Sequence, residues 1–429
     1  MRSPLEGVRV LDLSQGAAGP IAAMILGEYG ADVIKVDPPG GEWGRKLGPP
    51  FIGGQAAAYL GMNRNKRSVV VNLRHVSGRD VLSRLSEVCD VVIESFRPGV
   101  LDRLGLSYQA LALERPQLIW CSISAFGQDG PWRDKPGVDG IVQAISGIMS
   151  VTGEPDGAPV KVGVPAADTV GGLVAVQGIL LALLARQMSG LGQRVDTSLL
   201  DSMLLFQTVP FSMFQASGES PGRQGSAAPY AAPNEAFPTK DGYIMVAAYW
   251  PDRWRKFTEA IGRPELCSDS RFSEIDLRVA NRKELHRELS LVFAKASTDE
   301  WIKKLEAADV VCAKIYDYHS LAKEEHLNTE DRFPNLFHPT LGKMPGVGMA
   351  AKLSSTPARP QRPAPLPGEN SIEVLTEVAG VSMDLVRRWL SEGVIEQLEK
   401  PEGLEKPEGL EKPEGLEKPE QMYQSADSG

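Results

Sequence analysis

The chain is 429 residues long, 42% hydrophobic and 24% charged, an ordinary globular composition spread over more length than one average core accommodates, so two domains are expected. A formal net charge of −9 leaves no basic excess to release counterions from phosphates, which excludes nucleic acid and anionic membrane surfaces as partners. The four cysteines, Cys89, Cys121, Cys267 and Cys312, lack any CxxC spacing, so neither a zinc site nor a disulfide framework is indicated and a reducing, cytoplasmic location is expected.

Residues 1–13 carry Arg2, Glu6, Arg9 and Asp12 and no apolar run, so they do not read as a signal peptide. The β-branched and apolar run 8–13 predicts a strand, and Gln15-Gly16-Ala17-Ala18-Gly19-Pro20 predicts a turn into a helix with proline near its first position. A second strand at 31–36 completes a βαβ unit, which predicts a parallel sheet with ligands at the carboxyl ends of its strands. Gly16-Ala17-Ala18-Gly19 lacks the GxGxxG spacing, so no nicotinamide dinucleotide is expected. Strands at 68–73, 90–94 and 118–124 alternate with helices at 77–87 and 101–113, the pattern of an open α/β sheet.

Asp168 then stands between a Pro-containing extended run and a long uncharged helix. Aspartate is a preferred N-cap, and capping is one reading of it. The other is chemical: a carboxylate kept ionised by the helix macrodipole can attack an activated acyl group as a covalent nucleophile. Gly171 and Gly172 cost helix stability and signal close approach of another backbone or of a ligand. The uncharged run 169–185 is at the lower edge of membrane-spanning length but contains Gln177 and three glycines, so a buried core helix is expected. A turn at 189–193 leads to another strand and a helix from Ser198.

Gly, Ser, Pro and Ala dominate 215–232, which reads as a linker. A strand at 242–247 and helices at 254–261, 281–295 and 298–307 predict a smaller α+β domain over 233–330. The stretch 331–370, rich in proline and glycine, reads as an extended return to the first domain, and 371–379 and 382–390 as closing helices. From Glu399 a hexapeptide repeat, Glu-Lys-Pro-Glu-Gly-Leu, has too little apolar content for a core and reads as a disordered tail to residue 429.

Six segments in this order resemble family III CoA-transferases, the group that includes formyl-CoA transferase and carnitine CoA-transferase and to which α-methylacyl-CoA racemase is related. They are residues 4–12, 31–36, Asn65-Lys66-Arg67-Ser68, 96–105, Ala167-Asp168 before Gly171-Gly172, and Arg359 with Pro363-Ala364-Pro365 and Gly368-Glu369. The resemblance implies a Rossmann-like open parallel sheet in a large domain (1–214), a small domain, two long linkers, and 371–398 packed back on the large domain. It also implies an interlocked, ring-like homodimer. Asp168 is by this resemblance the nucleophile that exchanges an acyl-CoA thioester with a carboxylic acid acceptor through aspartyl-anhydride and aspartyl-CoA intermediates. No permanently bound cofactor or metal is implied; coenzyme A enters as the thioester substrate.

Matched CoA contacts are Ala17 and Ala18, Val71, Asn72, Leu73 and Arg74, Ser95, Phe96 and Arg97, and Arg103. Gln15, Arg45, Tyr230, Tyr249 and Trp250 are candidates for the acyl pocket, with Arg45 or Arg223 meeting a distal carboxylate if the acceptor has one. This chain has Ala17 where formyl-CoA transferase has an active-site Gln and Pro38 where it has an Arg, and Gly222-Arg223-Gln224-Gly225 replaces its tetraglycine loop, which points away from formyl-CoA and oxalate as the substrate pair. A racemase needs an acid/base group on each side of the α-carbon, but Val138 and Trp250 occupy the matching His and Glu positions. A non-catalytic CoA-binding protein is the remaining alternative, against which Asp168 with its two glycines speaks.

Overall fold

The computed structural model describes residues 2–399, so the repeat from Lys400 onward lies outside the described residues. Six strands, β1 (Arg9–Asp12), β2 (Asp32–Asp37), β3 (Lys66–Val71), β4 (Val91–Glu94), β5 (Ile119–Ser124) and β6 (Arg194–Ser198), run parallel in the order β3-β2-β1-β4-β5-β6. A short strand, Ile395–Glu396, pairs antiparallel with the outer edge of β3 and closes the sheet.

The central strands carry apolar residues on both faces because both are covered. Val10, Val33, Val91 and Ile119 contribute to one core, against α1 (Ala18–Glu28) and the long helix that carries Asp168. Their sequence neighbours Leu11, Ile34, Val92 and Trp120 face a second core, against helix α2 (Val76–Glu87) and Trp389 near the C-terminus. The period-2 alternation thus sorts each strand between two helical layers.

The strand order reverses between β1 and β4, and in doubly wound sheets the crevice beyond the carboxyl ends of such strands is the ligand site. Here that crevice is bounded by the turn after β1 and the turn after β4, which are tied together by the Gln15 N–H donating to Ser95 Oγ at 2.9 Å.

A separate core forms around a three-stranded antiparallel sheet of β7 (Asn234–Pro238), β8 (Tyr243–Ala247) and β9 (Val311–Lys314), packed by Phe237, Phe257, Phe293 and Trp301. Helix Thr298–Ala307 starts on a reciprocal cap between Ser297 and Glu300. Strands β7 and β9 were absent from the sequence reading. The stretch 215–232 starts inside helix Thr208–Ser217, which Gly218 terminates in the left-handed conformation at φ 73°.

Candidate active site

The turn after β1 rests on a buried ionic floor. Asp12 accepts from Lys66 Nζ at 2.8 Å and from the Ser14 N–H at 3.0 Å, and Lys35 Nζ donates to the Ser14 carbonyl at 2.6 Å. Glu42 lies 3.7 Å from the same Lys35 ammonium and accepts the Gly16 N–H at 3.2 Å, at the point where Gly16 takes φ +84°. Burial pushes the Asp12 carboxyl up, but the ammonium groups of Lys35 and Lys66 more than offset it and hold Asp12 below the usual carboxylate range. Burial brings Lys66 down to about 8 against the pull of Asp12. Sequence reading missed Lys35, Glu42 and Lys66 as members of this floor. The available signal was a lysine inside the otherwise apolar run Val33-Ile34-Lys35-Val36.

Asp168 sits in the first turn of the helix Ala166–Ser189, whose N-cap position is Pro165. It is therefore not the cap. That role belongs to Asp139, at the start of helix Asp139–Ile145, which accepts the Ala167 N–H at 2.8 Å and is itself bonded by Gln143 Nε2 at 2.8 Å. The Asp168 carboxylate makes no hydrogen bond among the described residues. Burial first, and then the neighbouring Asp139 carboxylate, raise its pKa to about 6. The two glycines that follow serve helix packing. A Cβ on Gly172 would meet the Ala18 carbonyl at 2.7 Å, and one on Gly171 the Leu199 side chain at 2.5 Å.

Asp168 opens into a cavity of about 650 Å³, lined by Gln15, Gly16, Ala17, Ala18, Ser95, Phe96, Ser124, Val138 and Lys161 among others. A second cavity of about 730 Å³ follows the carboxyl ends of β2 and β3, between Pro38, Val71, Asn72, Leu73 and Arg74. Gln15 and Phe96 line both, so the two form adjoining halves of one cleft across the switch point. An elongated ligand fits such a shape, and the first turn of α1, at Ala17 and Ala18, lines its Asp168 side.

The remaining predicted residues lie elsewhere. Arg97 is exposed and lines a small separate recess with Glu94 and Arg194. Arg103 is exposed on the same stretch, beside Gly99. The expectation of a free Arg45 is corrected: its guanidinium is buried, paired with Asp37 at 2.6 Å, bonded to the Pro365 carbonyl at 2.9 Å and stacked over Tyr59. Arg223 donates to the Gly157 and Glu154 carbonyls and braces a loop. Tyr230 and Trp250 are exposed away from the cavity lining, and Tyr249 packs against Trp250 in a tilted arrangement with ring centroids 5.7 Å apart. The core-helix reading of 169–185 holds for one face only. Gly172, Ala175 and Ile179 are buried, while Leu173, Leu181 and Leu184 are more than half exposed.

Comparison with known proteins places this geometry in context. The family model for CoA-transferase family III matches residues 5–371. The chain is 36% identical over 397 residues to the succinyl-CoA:glutarate CoA-transferase of Mus musculus, covering 92% of this chain and 91% of that protein. It is also 36% identical, over 384 residues, to the succinate–glutarate CoA-transferase of Agrobacterium fabrum, covering 88% and 96% respectively. Among solved structures, a CAIB/BAIF family protein from Brucella suis superposes with a TM-score of 0.79 at 34% identity, covering 88% of this chain and 100% of that one.

Proposed function

Since this chain belongs to CoA-transferase family III, we propose that it moves CoA from an acyl-CoA to a free dicarboxylic acid, with Asp168 as the group that is acylated in turn. The observation that carries this reading is a carboxylate without a hydrogen-bond partner, lying in the first turn of a helix and facing the cavity at the strand switch point. At neutral pH a carboxylate with a pKa of about 6 is mostly ionised, and lacking partners it keeps its full nucleophilicity. The named relatives act on succinyl and glutaryl groups, which supports a dicarboxylate on each side of the exchange.

The chemistry balances in four steps. The Asp168 carboxylate attacks the thioester carbonyl, the C–S bond breaks, and a mixed anhydride and CoA thiolate result. The thiolate attacks the aspartyl carbonyl of that anhydride, releasing the donor acid and leaving an aspartyl-CoA thioester. The acceptor carboxylate then expels the thiolate to form a new anhydride. Attack of the thiolate on the acceptor carbonyl gives the product thioester and restores Asp168. Each step exchanges one activated acyl group for another, so the protein's tasks are orientation and exclusion of hydrolysing water. Ala17 and Ala18 at the start of α1 line the cavity on the Asp168 side, which supports their N–H groups as donors to the tetrahedral oxyanion, and the Arg74 half of the cleft suits the anionic nucleotide end of CoA.

A second copy of the chain fits this reading, because Leu173 and Leu181 on one helix and Leu205 and Phe206 on the next are all more than half exposed. The four unpaired cysteines support a reducing compartment. A racemase is less well supported, since Val138 lines the cavity where a second acid/base group is needed and Asp139 is committed to the Ala167 N–H. Hydroxylamine added during turnover tests the proposal: it should inactivate the protein and leave a hydroxamate at Asp168 only when an acyl-CoA is present. A protein that exchanges α-protons of its acyl-CoA without an acceptor, and resists hydroxylamine, contradicts it.

A further inference from the structure

A dicarboxylic acid that reacts through one carboxylate brings the other into the same cavity, where an unpaired charge in a partly apolar site is costly. A cation must therefore meet it. Arg45 is closed off by Asp37 and the Pro365 carbonyl, and Arg223 is bonded to loop carbonyls. Lys161 is different: it lines the same cavity as Asp168, and its side chain makes no hydrogen bond or ion pair among the described residues. Its loop is also anchored. The adjacent Val162 N–H donates to Gln143 Oε1 at 2.9 Å, and Gln143 Nε2 donates to the Asp139 carboxylate that caps the Asp168 helix. One glutamine thus fixes both the lysine loop and the nucleophile's helix to the same point.

We propose that Lys161 is the specificity-determining residue of the acyl pocket, its ammonium binding the distal carboxylate of a dicarboxylic acid whose near carboxylate is joined to Asp168. This rests on the exchange reading above.

The test uses the full-length protein with succinyl-CoA as donor and compares kcat/KM for glutarate with that for pentanoate, which has the same chain length and one carboxylate fewer. The donor half-reaction is common to both acceptors and cancels in the ratio. Lys161→Ala is expected to lower the glutarate-to-pentanoate ratio by roughly 10- to 100-fold, the range for a charge-assisted hydrogen bond. Lys161→Arg should keep most of the preference. A ratio unchanged in Lys161→Ala, or equal losses on both acceptors, overturns the assignment. The outcome is separable from the broader reading: if wild-type Asp168 never acquires CoA from succinyl-CoA, the exchange chemistry itself fails, whereas an acylated Asp168 with unaltered selectivity in Lys161→Ala removes only this residue's role.

Discussion

Asp12 and Asp168 are both aspartates near the carboxyl edge of the sheet, and their surroundings make them opposites. Asp12 is surrounded by Lys66, Lys35 and Ser14 and is held ionised, its pKa below that of a free carboxylate. Asp168 has no such partner, faces a cavity, and is held above the usual range, at about 6. The difference teaches that the partner inventory, not the residue type or its depth, separates a carboxylate that holds the fold from one available to react.

Replacing the unpartnered member should alter chemistry without harming the fold. Asp168→Asn is expected to lower CoA exchange by about a thousandfold or more, as loss of a covalent nucleophile does. The sign of its stability effect follows from linkage. Because the folded-state pKa is raised from 3.8 to about 6, the folded protein gives up its proton less readily than the unfolded chain, and a penalty builds up as pH rises through that interval. Asp168→Asn should therefore unfold at a higher temperature than wild type above pH 6, by a few degrees as an order of magnitude, with the gain vanishing near pH 4. Melting curves at the two pH values check it.

The partnered member should behave the other way. Asp12→Ala leaves Lys35 and Lys66 buried without their shared carboxylate, which is expected to cost about 3–5 kcal/mol of stability. Chemical denaturation would show it, with the specific activity of the surviving folded fraction reduced far less than in Asp168→Asn.

Two smaller changes sharpen the contrast. Glu42→Ala frees the Gly16 N–H and loosens the turn that lines both halves of the cleft, so KM for the acyl-CoA should rise by roughly 3- to 10-fold while kcat changes less. Asp139→Asn retains an acceptor for the Ala167 N–H but removes the negative charge that helps raise Asp168, so the acid limb of kcat/KM should move to lower pH. An unmoved limb would mean that burial alone sets the Asp168 pKa.

The alternation of β-branched strands with helices was readable from the sequence, because each strand's apolar pattern reports two covered faces. So was Asp168, since a carboxylate at the head of a long apolar helix is locally conspicuous. Its freedom from capping was not readable. That depends on Asp139, which precedes Ala167 by 28 residues and reaches it only after folding. The same limit hid the ionic floor, where Asp12 meets Lys66 across 54 positions, and the commitment of Arg45 to the Pro365 carbonyl across 320. The strand Ile395–Glu396 is too short to have a period and exists through its pairing with Val70 and Val71. Lys161 looked like any surface lysine until the cavity appeared beside it.

The most direct measurement is the intact mass of the protein after incubation with succinyl-CoA and no acceptor, followed by peptide mapping. The account predicts a gain equal to CoA less one water, confined to the peptide containing Asp168 and absent from Asp168→Asn. Unmodified protein, or the same adduct on Asp168→Asn, would contradict it.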